Sequence, residues 1–288
     1  MNKLFSLATV LLFISLQLTA QDQSTEYFPD GLHFKPIRAD YQEPRTGIIY
    51  VPKNDQVNFN LGQSFDVISF SFDGNSRLTF GVDISAYAQF NFVENLEINV
   101  DNIDALYGFN WVYSHNYESS KLFLRLRSMH NSSHLVDEHF DEANERRFYK
   151  TEPFNLTQEF LEFTTAYETY SENTVFRFYG SPSYRIRFFP EGEFTNYFAK
   201  AGAELAFKNA LGSILDEETH LFFAANFRID GTPKYRLSFN GLFGVKSGDW
   251  LGKGILLYLS YYRGNNFYSE YYFERIADYG IGCFLELQ

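Results

Sequence analysis

The sequence predicts an all-β fold: a closed antiparallel transmembrane β-barrel of about twelve strands. Three observations predict it. First, positions 78–92 alternate without a break: Leu78, Phe80, Val82, Ile84, Ala86, Ala88, Phe90 and Phe92 are apolar, and polar or small residues from Thr79 to Asn91 lie between them. A strand turns successive side chains to opposite faces, so this segment is greasy on one side and polar on the other. Second, the pattern returns at 197–207, 221–229 and 235–245, with polar turns between. Third, a secretory signal precedes it all.

That signal occupies residues 1–20. Lys3 supplies the positive start, 4–18 the apolar stretch, and Leu18-Thr19-Ala20 the end of a cleavage site, with Gln21 the expected mature N-terminus. Residues 21–45 form a short N-terminal periplasmic segment, read either as a linker or as a plug whose Arg38, Asp40, Glu43 and Arg45 pair with charges in the lumen. Residues 46–288 are the barrel. Its strands are expected at 46–52, 57–72, 77–93, 104–115, 120–132, 157–168, 174–188, 196–208, 219–229, 234–246, 254–262 and 276–287. The first is the weakest, and ten strands with an N-terminal plug is the alternative. Connections 73–76, 116–119 and 169–173 are short and fall on the periplasmic side; 94–103, 133–156 and 263–275 are longer and fall outside.

Parity assigns the faces. Leu122, Leu124 and Leu126 face lipid while Arg125 and Arg127 face the lumen. In 234–246, Tyr235, Leu237, Phe239, Phe243 and Val245 point out, and Arg236, Ser238, Asn240 and Lys246 point in. Lys200, Glu204 and Lys208 also point in. Lumen charges of both signs imply a filled interior with ion pairs; water-filled channels use about 16–18 strands. Phe109, Trp111 and Tyr113 suit a periplasmic aromatic girdle, and Tyr271-Tyr272-Phe273 an outer one.

Composition narrows the function. Aromatic content is 19%, which suits strands and girdles. No run of about 20 apolar residues follows the signal, so no transmembrane helix is expected. The net charge of −12 argues against nucleic acid as a partner. The acid is gathered at 137–145, 191–193 and 216–218, as solvated loops or as contacts for divalent cations. The single cysteine, Cys283, leaves no intramolecular disulfide and is expected to face lipid.

One cluster could carry chemistry. Counting by twos from Leu126, the lipid-facing stripe continues as Ser128, His130, Ser132 and His134, so it turns polar at its outer end. His130 and Ser132 stand side by side on one face, the minimum for nucleophilic acyl transfer with imidazole as the base. Glu159, across the long loop, shares the outward parity and is the candidate for orienting the imidazole. The bland alternative is a set of interfacial polar residues. Asp101, Asn102 and Asp104, placed on an outer loop, form a candidate calcium site. His134 with Asp137 and Glu138 is a weaker metal set.

The His130-Asn131-Ser132 run resembles the His-x-Ser core of outer-membrane phospholipase A and of the lipid A deacylase barrels. Ser133-His134 stands where the phospholipase pattern has Asn-Gly. That resemblance implies an outer-leaflet lipid acyl hydrolase. A broader resemblance rests on Phe34-Lys35-Pro36-Ile37-Arg38-Ala39-Asp40, Glu43-Pro44-Arg45, Gly81-Val82-Asp83, Ala88-Gln89-Phe90, Arg125-Leu126-Arg127 with His130 to Glu138, and Tyr279-Gly280-Ile281-Gly282. These residues are similar to a domain-of-unknown-function family of Gram-negative outer-membrane β-barrel proteins, which implies location and fold but no activity.

Three functions follow in order of expectation: a structural or scaffolding barrel of the outer membrane, the acyl hydrolase, and a narrow transport pore. The expected partners are outer-membrane lipids and lipopolysaccharide, with an envelope protein complex as a candidate. No cofactor other than calcium is implied, and the oligomeric state is open.

Overall fold

A computed structural model describes residues 24–92, 98–135, 140–141, 146–147, 156–189, 191, 194–214, 216–231 and 234–288. Residues 1–20, expected to be a signal, and most of the acidic stretch 137–145 lie outside the described residues. The strands are β1 (Ser24–Tyr27), β2 (Thr46–Val51), β3 (Gln56–Phe72), β4 (Ser76–Phe92), β5 (Ile98–Asn116) and β6 (Ser120–Leu135). A small pair, β7 (Phe140–Asp141) and β8 (Arg146–Arg147), follows, then β9 (Thr157–Tyr170), β10 (Thr174–Phe189) and β11 (Tyr197–Phe207). The chain ends with β12 (Ser213–Ile214), β13 (Glu217–Gly231), β14 (Tyr235–Gly248), β15 (Gly254–Asn265) and β16 (Arg275–Glu286).

Twelve of these close a ring. The order β3-β2-β16-β15-β14-β13-β11-β10-β9-β6-β5-β4 returns to β3 through the β3–β4 pairing, and every neighbouring pair is antiparallel. Closure leaves no long sheet edge. No described helix is long and apolar enough to cross a membrane, and the strands cross instead. Their outer faces expose Leu126, Phe163, Phe178, Phe223, Phe243, Leu257 and Ile281. A continuous apolar exterior on a closed barrel is stable only in lipid. The chain is a transmembrane β-barrel.

Short connections gather at one end, the turn end, as at 73–75, 117–119 and 171–173. Asp73 and Gly74 both adopt positive φ (48° and 71°), and the Asp73 carboxylate accepts from the backbone of Asn75 and Ser76. Aspartate tolerates and glycine favours that conformation, so an Asp-Gly pair reverses the chain here.

The first wall position is split. β1 and β2 both pair with β3 on the side away from β4: Ser24–Tyr27 with residues 68–71, and residues 47–51 with 56–60. Between them residues 28–45 leave the wall and run through the lumen. Phe34, Ile37 and Ala39 are buried there, and Phe34 and Ile37 pack with Val112, Phe123, Ala166 and Tyr179. His33 sits between Thr79 (Nδ1–Oγ1 2.8 Å) and Ser114 (Nε2–Oγ 2.6 Å), and its backbone N–H donates to Asp66. Burial, aided by Lys121 and Arg77, lowers the imidazole to about 3, so the ring is neutral at ordinary pH.

Above this apolar layer lies an ionic one. Arg127 is fully buried and meets Asp83 (2.9 Å), Glu162 (3.4 Å) and Glu43 (3.5 Å). Arg125 grips Glu43 with both terminal nitrogens, and Lys200 bridges Asp40 and Glu162. Arg38 meets Glu204 (3.1 Å) and Glu286 (3.0 Å) and lies 4.0 Å over the Trp250 ring. Burial alone would raise the Glu43 carboxyl, but Arg125 and Arg127 outweigh it and hold that group well below the usual carboxylate range. Arg38, Asp40 and Glu43 of the segment thus each have an opposite charge on the wall, which is the condition for burying charge at all.

Several sequence expectations need correction. The outer connection expected at 94–103 is shorter, because β5 begins at Ile98. Arg236, expected in the lumen, is exposed, since it lies one residue inside the open end of β14. Tyr271 and Tyr272 do not form a girdle. The connection carrying them folds inward and both are buried, as the partners described next explain.

Candidate functional site

The polar end of β6 is the sequence-derived candidate. Phe123, Arg125, Arg127, Met129, Asn131 and Ser133 are buried on its inner face, so His130 and Ser132 do lie on the outer wall. Registers place Tyr107 of β5 on one side of His130 and Glu159 of β9 on the other. The imidazole stacks on Tyr107 with centroids 4.9 Å apart and planes at 35°. Its Nδ1 is 3.9 Å from Glu159 Oε1, too long for a hydrogen bond.

Ser132 stands between Ala105 and Thr157. Among the described residues, His130 and Ser132 share no hydrogen bond, because the ring turns sideways to its cross-strand neighbours rather than along its own strand. Both sides of β6 are engaged in the ladder from residue 130 to 132, so the local backbone N–H groups are consumed. An oxyanion here would need side-chain donors. Ser133 faces inward and donates to Asp104 at 2.5 Å.

Asp101, Asn102 and Asp104 are strand residues of β5, not loop residues. All three are fully buried in the lumen. The register slips between Gln89 and Phe90, so Asp101 is an inserted residue. A bulge of this kind turns two consecutive side chains to one face, which strict alternation cannot foresee. Asp101 and Asp104 hold the β15–β16 connection, while Asn102 donates to Ser133 on β6 (3.4 Å). Tyr271 donates to Asp101 (3.1 Å), the Ser269 backbone to Asp104 (3.1 Å) and Tyr87 to Asp104 (3.0 Å). The Tyr268 hydroxyl donates to the Ala88 carbonyl (3.2 Å). Asp104 therefore faces O–H and N–H donors, and a cation would have to displace them. Among the described residues no group of three or more His, Cys, Asp or Glu is arranged to hold a metal. Asp137 and Glu138, proposed beside His134, lie outside the described residues.

Sequence reasoning missed the inward cap formed by residues 266–274 and the His33–Ser114 pair. The Tyr268-Ser269-Glu270-Tyr271 run carries hydroxyls that need partners once buried, but nothing local to it names those partners.

No protein-family model matches the chain, and no curated protein matches it either. The family resemblance therefore rests on the quoted residues alone. Solved structures do match. The translocator domain of autotransporter NalP from Neisseria meningitidis is 9% identical, with 99% of this chain and 96% of that chain covered and a TM-score of 0.38. CdiB from Acinetobacter baumannii is 11% identical, over 92% of this chain and 65% of that chain, with a TM-score of 0.36. The outer-membrane expressed OmpT of Vibrio cholerae is 7% identical, over 93% of this chain and 99% of that one, with a TM-score of 0.35.

Proposed function

We propose that this chain is an integral outer-membrane barrel with a structural or scaffolding role, exported through cleavage of residues 1–20 and closed to solute by its own N-terminal segment. The observation that carries this reading is the lumen. Residues 33–44 occupy it, Arg38, Asp40 and Glu43 pair with wall charges, and the 266–274 connection folds over the other end. A narrow transport pore fits this interior poorly. The test is electrical. Purified protein in planar bilayers should show no steady conductance, whereas stable currents from the wild type would overturn the reading in favour of a pore.

A second reading, the outer-leaflet acyl hydrolase, is favoured by the Tyr107–His130–Glu159 row on the lipid-facing wall with Ser132 beside it. If it holds, protein in mixed micelles should release fatty acid from phospholipid or lipid A, with or without calcium, and Ser132→Ala should abolish release. Glu159→Gln should cost less than His130→Ala, because an orienting group contributes less than the base itself. No release from any of these lipids would leave His130 and Ser132 as polar residues of the headgroup zone.

A further inference from the structure

The outer wall over β11, β13, β14 and β15 is not evenly filled. Ala203, Ala225 and Gly241 lie in one cross-strand row. Ala203 and Ala225 end at Cβ and the Phe239 ring folds over Gly241, so the row forms the floor of a groove of about 620 Å³. Phe223 and Phe243, with rings 4.7 Å apart, bank it on the turn side. Phe239 banks it on the loop side, and Tyr261, 6.2 Å from that ring and the register partner of Gly241, closes its β15 end. This face lies within the hydrocarbon zone, where an unfilled groove forfeits contacts on every side. An acyl chain is the occupant that zone supplies.

The loop end of the groove shows which lipid. Arg263 follows Tyr261 by two residues on the same outer face, about 7 Å further along the strand. It is exposed on the outer face of β15. Arg275 comes from β16, where Asn265 is its register partner. Its side chain reaches across β15 to the Leu237 carbonyl (3.1 Å), donating to Asn265 on the way (2.9 Å). Among the described residues, no carboxylate lies within 4.0 Å of either guanidinium, in a chain whose net charge is −12. Two adjacent arginines without a counter-charge, above an apolar groove, match an anionic headgroup joined to a hydrocarbon tail. Guanidinium forks suit phosphate oxygens in particular.

We propose that this face binds one anionic, phosphate-bearing membrane lipid, its acyl chain in the groove and its phosphate against Arg263 and Arg275. The test uses phosphatidylglycerol as the probe. The full-length mature protein is reconstituted in phosphatidylcholine vesicles containing phosphatidylglycerol, extracted gently, and its retained lipids are counted by native mass spectrometry. The wild type should keep one phosphatidylglycerol in clear excess over phosphatidylcholine. Arg263→Gln, which breaks no ion pair within the protein, should cut that preference at least fivefold. Ala225→Trp should reduce retention of both lipids by filling the groove. Folding of each variant is checked by heat-modifiable migration. Retention without headgroup preference, a preference unchanged in Arg263→Gln, or a stable dimer occupying this face instead of lipid would each overturn the proposal.

Discussion

Replacing Arg127 with methionine should cost about 3–5 kcal/mol of stability, the range for removing one partner from a buried ion pair. Arg127 is fully buried, and its loss leaves Asp83 and Glu162 facing Glu43 with only Arg125 and Lys200 to compensate. Urea unfolding in lipid vesicles measures the cost. Lys53→Met is the comparison, because the Lys53–Asp278 pair has its lysine 63% exposed and should contribute less than about 1 kcal/mol. Equal costs for the two variants would mean that the luminal ion pairs do not hold the plug.

The second large effect lies one residue away on the same strand. Leu126 sits near the middle of β6, exposed between Trp111 and Phe163 on the neighbouring strands. Leu126→Arg should destabilise the barrel by roughly 2–4 kcal/mol, the cost of a cation on the lipid face at mid-bilayer. Tyr235→Arg, at the first residue of β14 near the loop-end rim, should cost roughly 0–1 kcal/mol. Vesicle refolding checks both. If position 126 accepts arginine as easily as position 235, the membrane is not centred on this band. Arginine is native at 125 and 127, so tolerance here is decided by facing rather than by residue type.

The strand layout was legible because half-lipid, half-lumen strands obey a period of two over long runs, and all twelve wall strands fall within a few residues of their expected places except the start of β5. Facing was legible for the same reason: Arg125, Arg127, Lys200, Glu204 and Lys246 are buried inside, and Leu122, Leu124, Leu126, Ser128 and His130 point out. Three things were not legible. The bulge at Asp101 breaks the period, so the segment read as a loop. The inward fold of Tyr271 depends on a hydroxyl partner 170 residues away, which no local pattern encodes. The orientation of His130 is a rotamer choice between its own strand and its neighbours, and the Tyr107 ring decides it. Parity could bring His130, Ser132 and Glu159 to one wall, but it could not say whether they bond.

The split of the first wall position constrains how the molecule can be assembled. Residues 28–45 are held in the wall at both ends, by β1 at one and β2 at the other, so they form a threaded strap rather than a loose tail. β2 also joins residues 46–50 to residues 281–285 near the far end of the chain. The strap therefore leaves the wall and rejoins it beside the seam where the two ends of the barrel meet. Packing of the interior and closure of the ring thus draw on the same short stretch of chain.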